Sequence, residues 1–200
     1  AQTIGVTQWV PPERGAGFVF NKINSMPSIP VRAPETIFQP GGHYRLKRNE
    51  FRHIEELTGK PFTWDAACDE AGTNAQCSQF SSPSRPFEAQ DVSGQHVWIN
   101  PPVGQTEAFM RHFFACWQKA PRTTSGCIMV PSHMAETVTK YAANARLLER
   151  YRQGSRVFEG LTKQGKYVNM GRSPFGFAVY YVPALSEDQD TALPGISVDH

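Results

Sequence analysis

Val97-Trp98-Ile99-Asn100-Pro101-Pro102 is the stretch on which the reading of this chain turns. Two β-branched residues around an aromatic one make a short buried strand. Asn-Pro-Pro then stops it, because a proline donates nothing to a sheet ladder. The strand ends in a rigid polar corner, with the Asn100 amide and its neighbouring carbonyls held in place. In an open α/β sheet, ligands bind outside the carboxyl ends of the strands. Asn100, Pro101 and Pro102 are therefore the first candidate site residues.

Working outward, Thr106–Lys119 is the clearest helix, with Phe109, Phe113 and Trp117 at four-residue spacing. Glu107 in its first turn and Lys119 in its last suit the helix dipole, and Pro121 ends it. Cys127-Ile128-Met129-Val130 is a second strand, closed by Pro131, and a helix is predicted over Met134–Ala143. Upstream, Phe51, Ile54 and Leu57 share one face of a helix over Asn49–Leu57, stopped by Gly59-Lys60-Pro61. Phe62–Ala67 reads as a strand running into a polar turn, Asp69–Asn74. Downstream, residues 146–148, 156–158 and 177–182 are strand-like. Strand alternating with helix predicts an α/β domain whose early strands are parallel. The glycine-punctuated C-terminal strands predict antiparallel hairpins on one edge.

The whole chain is 200 residues with a net charge of +2 and 40% hydrophobic residues, which excludes a disordered or histone-like protein. It has no apolar run long enough to span a membrane, and Ala1–Val10 lacks a signal-peptide pattern, so an intracellular protein is expected. Six of the 16 prolines lie between Pro11 and Pro40, so residues 1–45 are expected to form a Pro/Gly-rich extended arm. Residues 46–184 are the expected domain, and 185–200 a flexible acidic tail. Cys68, Cys77, Cys116 and Cys127 have no C-x-x-C spacing and read as reduced thiols. No metal site is expected. His112 and Cys116 lie one turn apart, without the second pair that a zinc site needs.

Five segments in one order carry a resemblance. They are Phe62-Thr63-Trp64-Asp65-Ala66-Ala67-Cys68-Asp69-Glu70, Asn74-Ala75-Gln76-Cys77-Ser78-Gln79-Phe80, Asp91 to Pro102, Cys127 to Pro131, and the loosely matched ending Arg156-Val157-Phe158 with Pro174-Phe175-Gly176-Phe177. Over about 46–183 the chain resembles the phage-type DNA N6-adenine methyltransferases, including the related domains of retrotransposon polyproteins. The resemblance implies a Rossmann-like methyltransferase three-layer sandwich, with a partly parallel sheet and an antiparallel C-terminal hairpin. It implies transfer of a methyl group from S-adenosylmethionine to adenine in DNA, the base flipped out or already single-stranded. Asn100, Pro101, Pro102 and Val103 would be the catalytic turn. Asp65, Ala67, Cys68, Asp69 and Asp91 would line the cofactor pocket. Polyprotein neighbours are further implied partners.

Two positions depart from the pattern. Val103 stands where the family carries a base-stacking aromatic, a contact worth roughly 1–3 kcal/mol, and no G-x-G turn follows the first strand. A catalytically inactive module on the same fold, binding nucleic acid or a protein, is therefore the alternative, and a different amino-group target a third reading. The charges point to nucleic acid independently. Lys140–Arg172 holds eight basic and two acidic residues, whereas Asp65–Glu107 holds six acidic and one basic. Arg146, Arg150, Arg152 and Arg156 are the predicted phosphate contacts.

Overall fold

The computed structural model describes residues 44–102, 104–162 and 165–186. The expected arm up to residue 43, Val103, and the expected tail from residue 187 lie outside the described residues. In chain order the elements are β1 (Tyr44–Leu46), α1 (Arg48–Thr58), β2 (Trp64–Asp65), β3 (Gln79–Phe80), β4 (His96–Ile99), α2 (Thr106–Lys119), β5 (Ser125–Pro131), α3 (Ala135–Tyr141), β6 (Arg146–Tyr151), β7 (Phe158–Leu161), β8 (Tyr167–Asn169) and β9 (Phe177–Val182).

The core follows from three strands that are apolar on both sides. Every residue of β4 is buried, as are Ser125–Val130 of β5 and Ala178–Val182 of β9. Strands of that kind need cover on both faces, so they occupy the middle of a sheet. The main sheet runs β3-β2-β4-β5-β9-β6. The first four are mutually parallel; β9 is antiparallel to both β5 and β6. Alternation along the strands then builds two separate clusters. Val97, Ile99, Ile128, Val130, Ala178 and Tyr180 face Phe109, Phe113 and Trp117 of α2 and Val138 of α3. Trp98, Cys127, Met129, Val179 and Tyr181 face the other way, onto Phe51 and Ile54 of α1 and onto Leu46 and Val157. The sheet is thus sandwiched between two layers.

The antiparallel element differs in place from the expected edge hairpin. β9 lies inside the sheet and β6 takes the edge, for a reason written in their compositions. FAVYYV can be buried on both faces, whereas RLLERY exposes Arg146, Leu147 and Arg150 and suits an unpaired edge. β7 and β8 leave this sheet and form a second, antiparallel one with β1, in the order β1-β7-β8. β1 therefore lies partly within the expected arm, at Tyr44 and Arg45. At the other end Leu185 still belongs to the domain: its N–H donates to Pro121 O at 2.8 Å, and its side chain packs on the larger cluster.

Gly126 lets α2 approach the sheet. A Cβ there would sit 2.7 Å from the Val97 carbonyl oxygen and 3.0 Å from the Phe113 ring. Backbone cannot step aside as a flexible side chain can. Gly126→Ala is expected to destabilise the domain by about 1–3 kcal/mol, read as a lowered urea midpoint with unchanged slope. An unshifted midpoint would mean that α2 does not seat this closely.

Candidate functional site at the carboxyl edge of the sheet

The parallel strands bring their carboxyl ends to one edge. Asp65 ends β2, paired in register with Trp98 of β4, and Asn100 follows β4 directly. Asp65 and Asn100 are 35 positions apart in the chain, and the adjacent parallel strands put the acid and the amide side by side. Asp65, Ala67 and Asn100 line one small cleft, open to solvent and enclosing about 10 Å³, together with Tyr44, Arg45 and Gln76.

Asn100 is half-buried, and its amide has no hydrogen-bond partner among the described residues. Pro102 O accepts from Gln105 N–H at 3.0 Å, which closes the turn into α2. Of the two proline carbonyls, Pro101's is the one left without a backbone donor among the described residues. The corner therefore presents acceptors and keeps its geometry through proline rigidity rather than through side-chain contacts.

Asp65 is buried at 3% exposure. Its Oδ1 accepts Ala67 N–H at 3.2 Å and its Oδ2 accepts Gln76 N–H at 2.9 Å. Burial raises its pKa to about 6, against the pull of those two backbone donors and of the Cys68 thiol. Burial and the Asp65 charge push the Cys68 thiol far up, and burial does the same to Cys77. Neither thiol is a nucleophile at neutral pH.

The loop between β2 and β3 is pinned over the cleft. Gln76 donates its amide to Leu46 O and accepts from Arg48 Nη1 at 3.1 Å, while Asn74 Nδ2 donates to Tyr44 O at 3.3 Å. Sequence reasoning assigned no role to Tyr44, Arg45, Asn74 or Gln76. The signal within reach was the Asn74-Ala75-Gln76-Cys77 segment, already distinctive as a motif. Tyr44 and Arg45 sit there only because β1 pairs with β7, a contact over 110 positions away in the chain, as Arg45 and Glu159 show with their 3.1 Å ion pair.

Other predicted site residues lie elsewhere. Asp69 holds its own turn: Oδ1 accepts Thr73 N–H at 2.8 Å and Oδ2 accepts the Thr73 hydroxyl. Asp91 precedes β4 and sits at the opposite edge of the sheet, beside the end of α2. The Ser93 hydroxyl (2.6 Å) and N–H (3.0 Å) donate to it, with Lys119 at 3.6 Å, so it does not join Asp65. Those Ser93 bonds hold its pKa below the usual range. Cys116 Sγ is 3.5 Å from His112 Nε2, which also reaches Gln90 O at 2.8 Å. No group of three or more His, Cys, Asp or Glu side chains suited to a metal occurs among the described residues.

The four predicted arginines do not form one row. A β-bulge between Leu147 and Glu149 shifts the register, so Arg146 opposes Tyr181 and Arg150 opposes Ala178. Tyr181 and Ala178 face opposite sides of the sheet. Arg146 therefore lies over the Tyr181 ring, 5.2 Å from its centroid, while Arg150 is turned to the α3 side. Arg152 and Arg156 are exposed in the turn after β6.

No helix among the described residues is long and apolar enough to cross a membrane. No protein-family model matches the chain, and no curated protein matches it.

Proposed function

We propose that this domain has a Rossmann-like methyltransferase fold and acts as an S-adenosylmethionine-dependent DNA N6-adenine methyltransferase. One observation carries the reading: the Asn100-Pro101-Pro102 corner and the Asp65 carboxylate share a cleft at the carboxyl edge of a mostly parallel sheet. S-adenosylmethionine, when bound, supplies a methyl group on a positively charged sulfur. The chain's own task is positioning. Asn100 Oδ1 and the Pro101 carbonyl would accept hydrogen bonds from the two N–H groups of the adenine amine, turning its lone pair toward the methyl donor. A duplex base would have to leave the stack to reach this edge.

The donor set suits the cofactor in kind. A buried carboxylate at the end of β2 can meet ribose hydroxyls or an ammonium, with Ala67 beside it. The room does not suit it as the cleft stands, since ligand pockets of that class span about 300–1,000 Å³ and this cleft encloses about 10 Å³. Both Asp65 oxygens also already accept backbone N–H groups. Each keeps a second lone pair for a cofactor donor, so it is the lack of room that favours the second reading, an inactive module on the same fold.

Calorimetry with S-adenosylmethionine, followed by transfer of labelled methyl to adenine-containing DNA, tests the proposal. Binding and transfer are expected, with Asn100→Ala lowering the rate by about 10²–10³, as for other preorganised hydrogen-bonding groups. Val103→Tyr should raise DNA affinity by about 30-fold, the worth of one base stack. No binding at millimolar cofactor would leave the inactive module as the reading.

A further inference from the structure

The P-F-G-F segment serves no role in the site just described, yet the structure gives it an unusual setting. Gly176 admits no side chain: a Cβ would lie 2.9 Å from both Ser132 Oγ and Tyr151 O. Ser132 N–H donates to Gly176 O at 2.9 Å, so the segment is clamped between the ends of β5 and β6. Phe175 is thereby set on the same carboxyl edge as Asn100. Its ring is half-exposed and belongs to neither core cluster. It packs 4.9 Å from Phe177, which packs 5.0 Å from Phe158, and exposed His133 meets it edge-on at 6.5 Å. The result is a supported aromatic shelf.

Three arginines lie on the segments next to it. The turn after β6 is laced to residues 173–174 by Gly154 N–H to Ser173 O, Ser173 N–H to Ser155 O, and Gln153 Nε2 to Pro174 O, each 2.9 Å. Arg152 and Arg156 ride on that turn, and the stem of Arg172 lies against Gly154. All three are exposed and make no ion pair among the described residues. The two acids of the 140–172 stretch are engaged elsewhere, Glu159 with Arg45 at 3.1 Å and Glu149 with His53 at 3.6 Å. The positive charge beside the shelf therefore meets no acid among the described residues.

We propose that the Phe175 shelf, with Arg152, Arg156 and Arg172, is a binding surface for single-stranded nucleic acid, one base stacking on Phe175 while the guanidinium groups take flanking phosphates. An aromatic face with adjacent unpaired arginines matches the two chemical halves of a nucleotide and tolerates any base. A duplex, whose bases are already stacked, offers only its phosphates. The surface shares its nucleic-acid partner with the reading above but needs neither cofactor nor methyl transfer.

The test is fluorescence anisotropy of the full chain with a labelled oligo-dT 20-mer and a duplex of equal length, in the absence of cofactor. The single strand is expected to bind more tightly than the duplex. Phe175→Leu keeps the volume and removes the ring; it should weaken single-strand binding by about 5–150-fold, the range for loss of one stack. Phe175→Trp should restore it, with all variants melting like the parent. Replacing the three arginines by Gln should reduce the salt slope by about 2, at roughly 0.7 per phosphate contact. Equal binding of the Phe175→Leu variant, or a preference for duplex, would overturn the proposal. Single-strand binding that fails with Phe175→Leu in a protein that binds no S-adenosylmethionine would uphold it while the methyltransferase reading fell.

Discussion

Trp98→Ala is expected to cost about 3–5 kcal/mol of unfolding free energy, the range for removing a large buried aromatic side chain. Trp98 is 1% exposed in the middle of β4. Phe51 of α1 meets it edge-on, with centroids 5.4 Å apart, and Phe62 packs at 5.5 Å. The ring is thus the main joint between α1 and the sheet, and its loss leaves a cavity on the face that also carries Leu46 and Met129. Because β4 leads straight into Asn100, the damage should reach the candidate site as well. Equilibrium denaturation would show the midpoint falling steeply, with Trp98→Phe recovering most of it. A loss below about 1 kcal/mol would mean that α1 contributes little to this face.

The second large effect is on pH dependence, and it involves two buried groups of opposite sign. His96 is 4% exposed, stacked on Phe62 at 4.4 Å, with its nitrogens 2.9 Å from Ser125 Oγ and 3.3 Å from Thr58 Oγ1. Burial, and then the charge of Lys60, hold its pKa down at about 4. The unfolded chain takes up this proton near pH 6.5, so stability is lost as pH falls from about 6.5 to 4. Asp65 runs the other way. Its folded pKa of about 6 exceeds the model-peptide value of 3.8, so stability is present below about 3.8 and lost as pH rises to about 6. Each contribution is up to about 3 kcal/mol, at about 1.4 kcal/mol per unit, and over pH 4–6 they largely cancel. His96→Asn should therefore become more stable, relative to the parent, as pH falls through this window. Asp65→Asn should become less so. Urea midpoints from pH 4 to 7 measure both; parallel curves for the three proteins would show that these groups are not buried in the protonation states described.

Much of the local structure was legible from residue order. Thr106–Lys119 has the same limits in the sequence reading and in the structure, because its aromatic spacing, terminal charges and Pro121 all agree. The Phe62–Ala67 strand was read too long. The regular strand is Trp64–Asp65, with the Thr63 and Ala66 N–H groups still donating to His96 O and Trp98 O, before Asp65 accepts the Ala67 and Gln76 N–H groups. β1, β3 and β8 were not anticipated. With two or three residues each, they carry no periodic signal, and pairing with distant partners is what makes them strands. The arginine cluster looked continuous in sequence and was divided by one bulge.

The opening stretch shows where the boundary lies. Sequence alone determined that Val97–Ile99 is a buried strand and that Asn100-Pro101-Pro102 ends it, because apolar patterning and proline's missing donor are properties of neighbours along the chain. It also determined the imbalance of charge between the two halves. Tertiary structure decided what Asn100 faces. The order of strands in the sheet, the return of 44–46 beside β7, and the pinning of Gln76 are all backbone and side-chain bonds between residues far apart. Closing such loops is a choice among many pairings of similar local merit. It is settled by which arrangement buries β4, β5 and β9 on both faces at once.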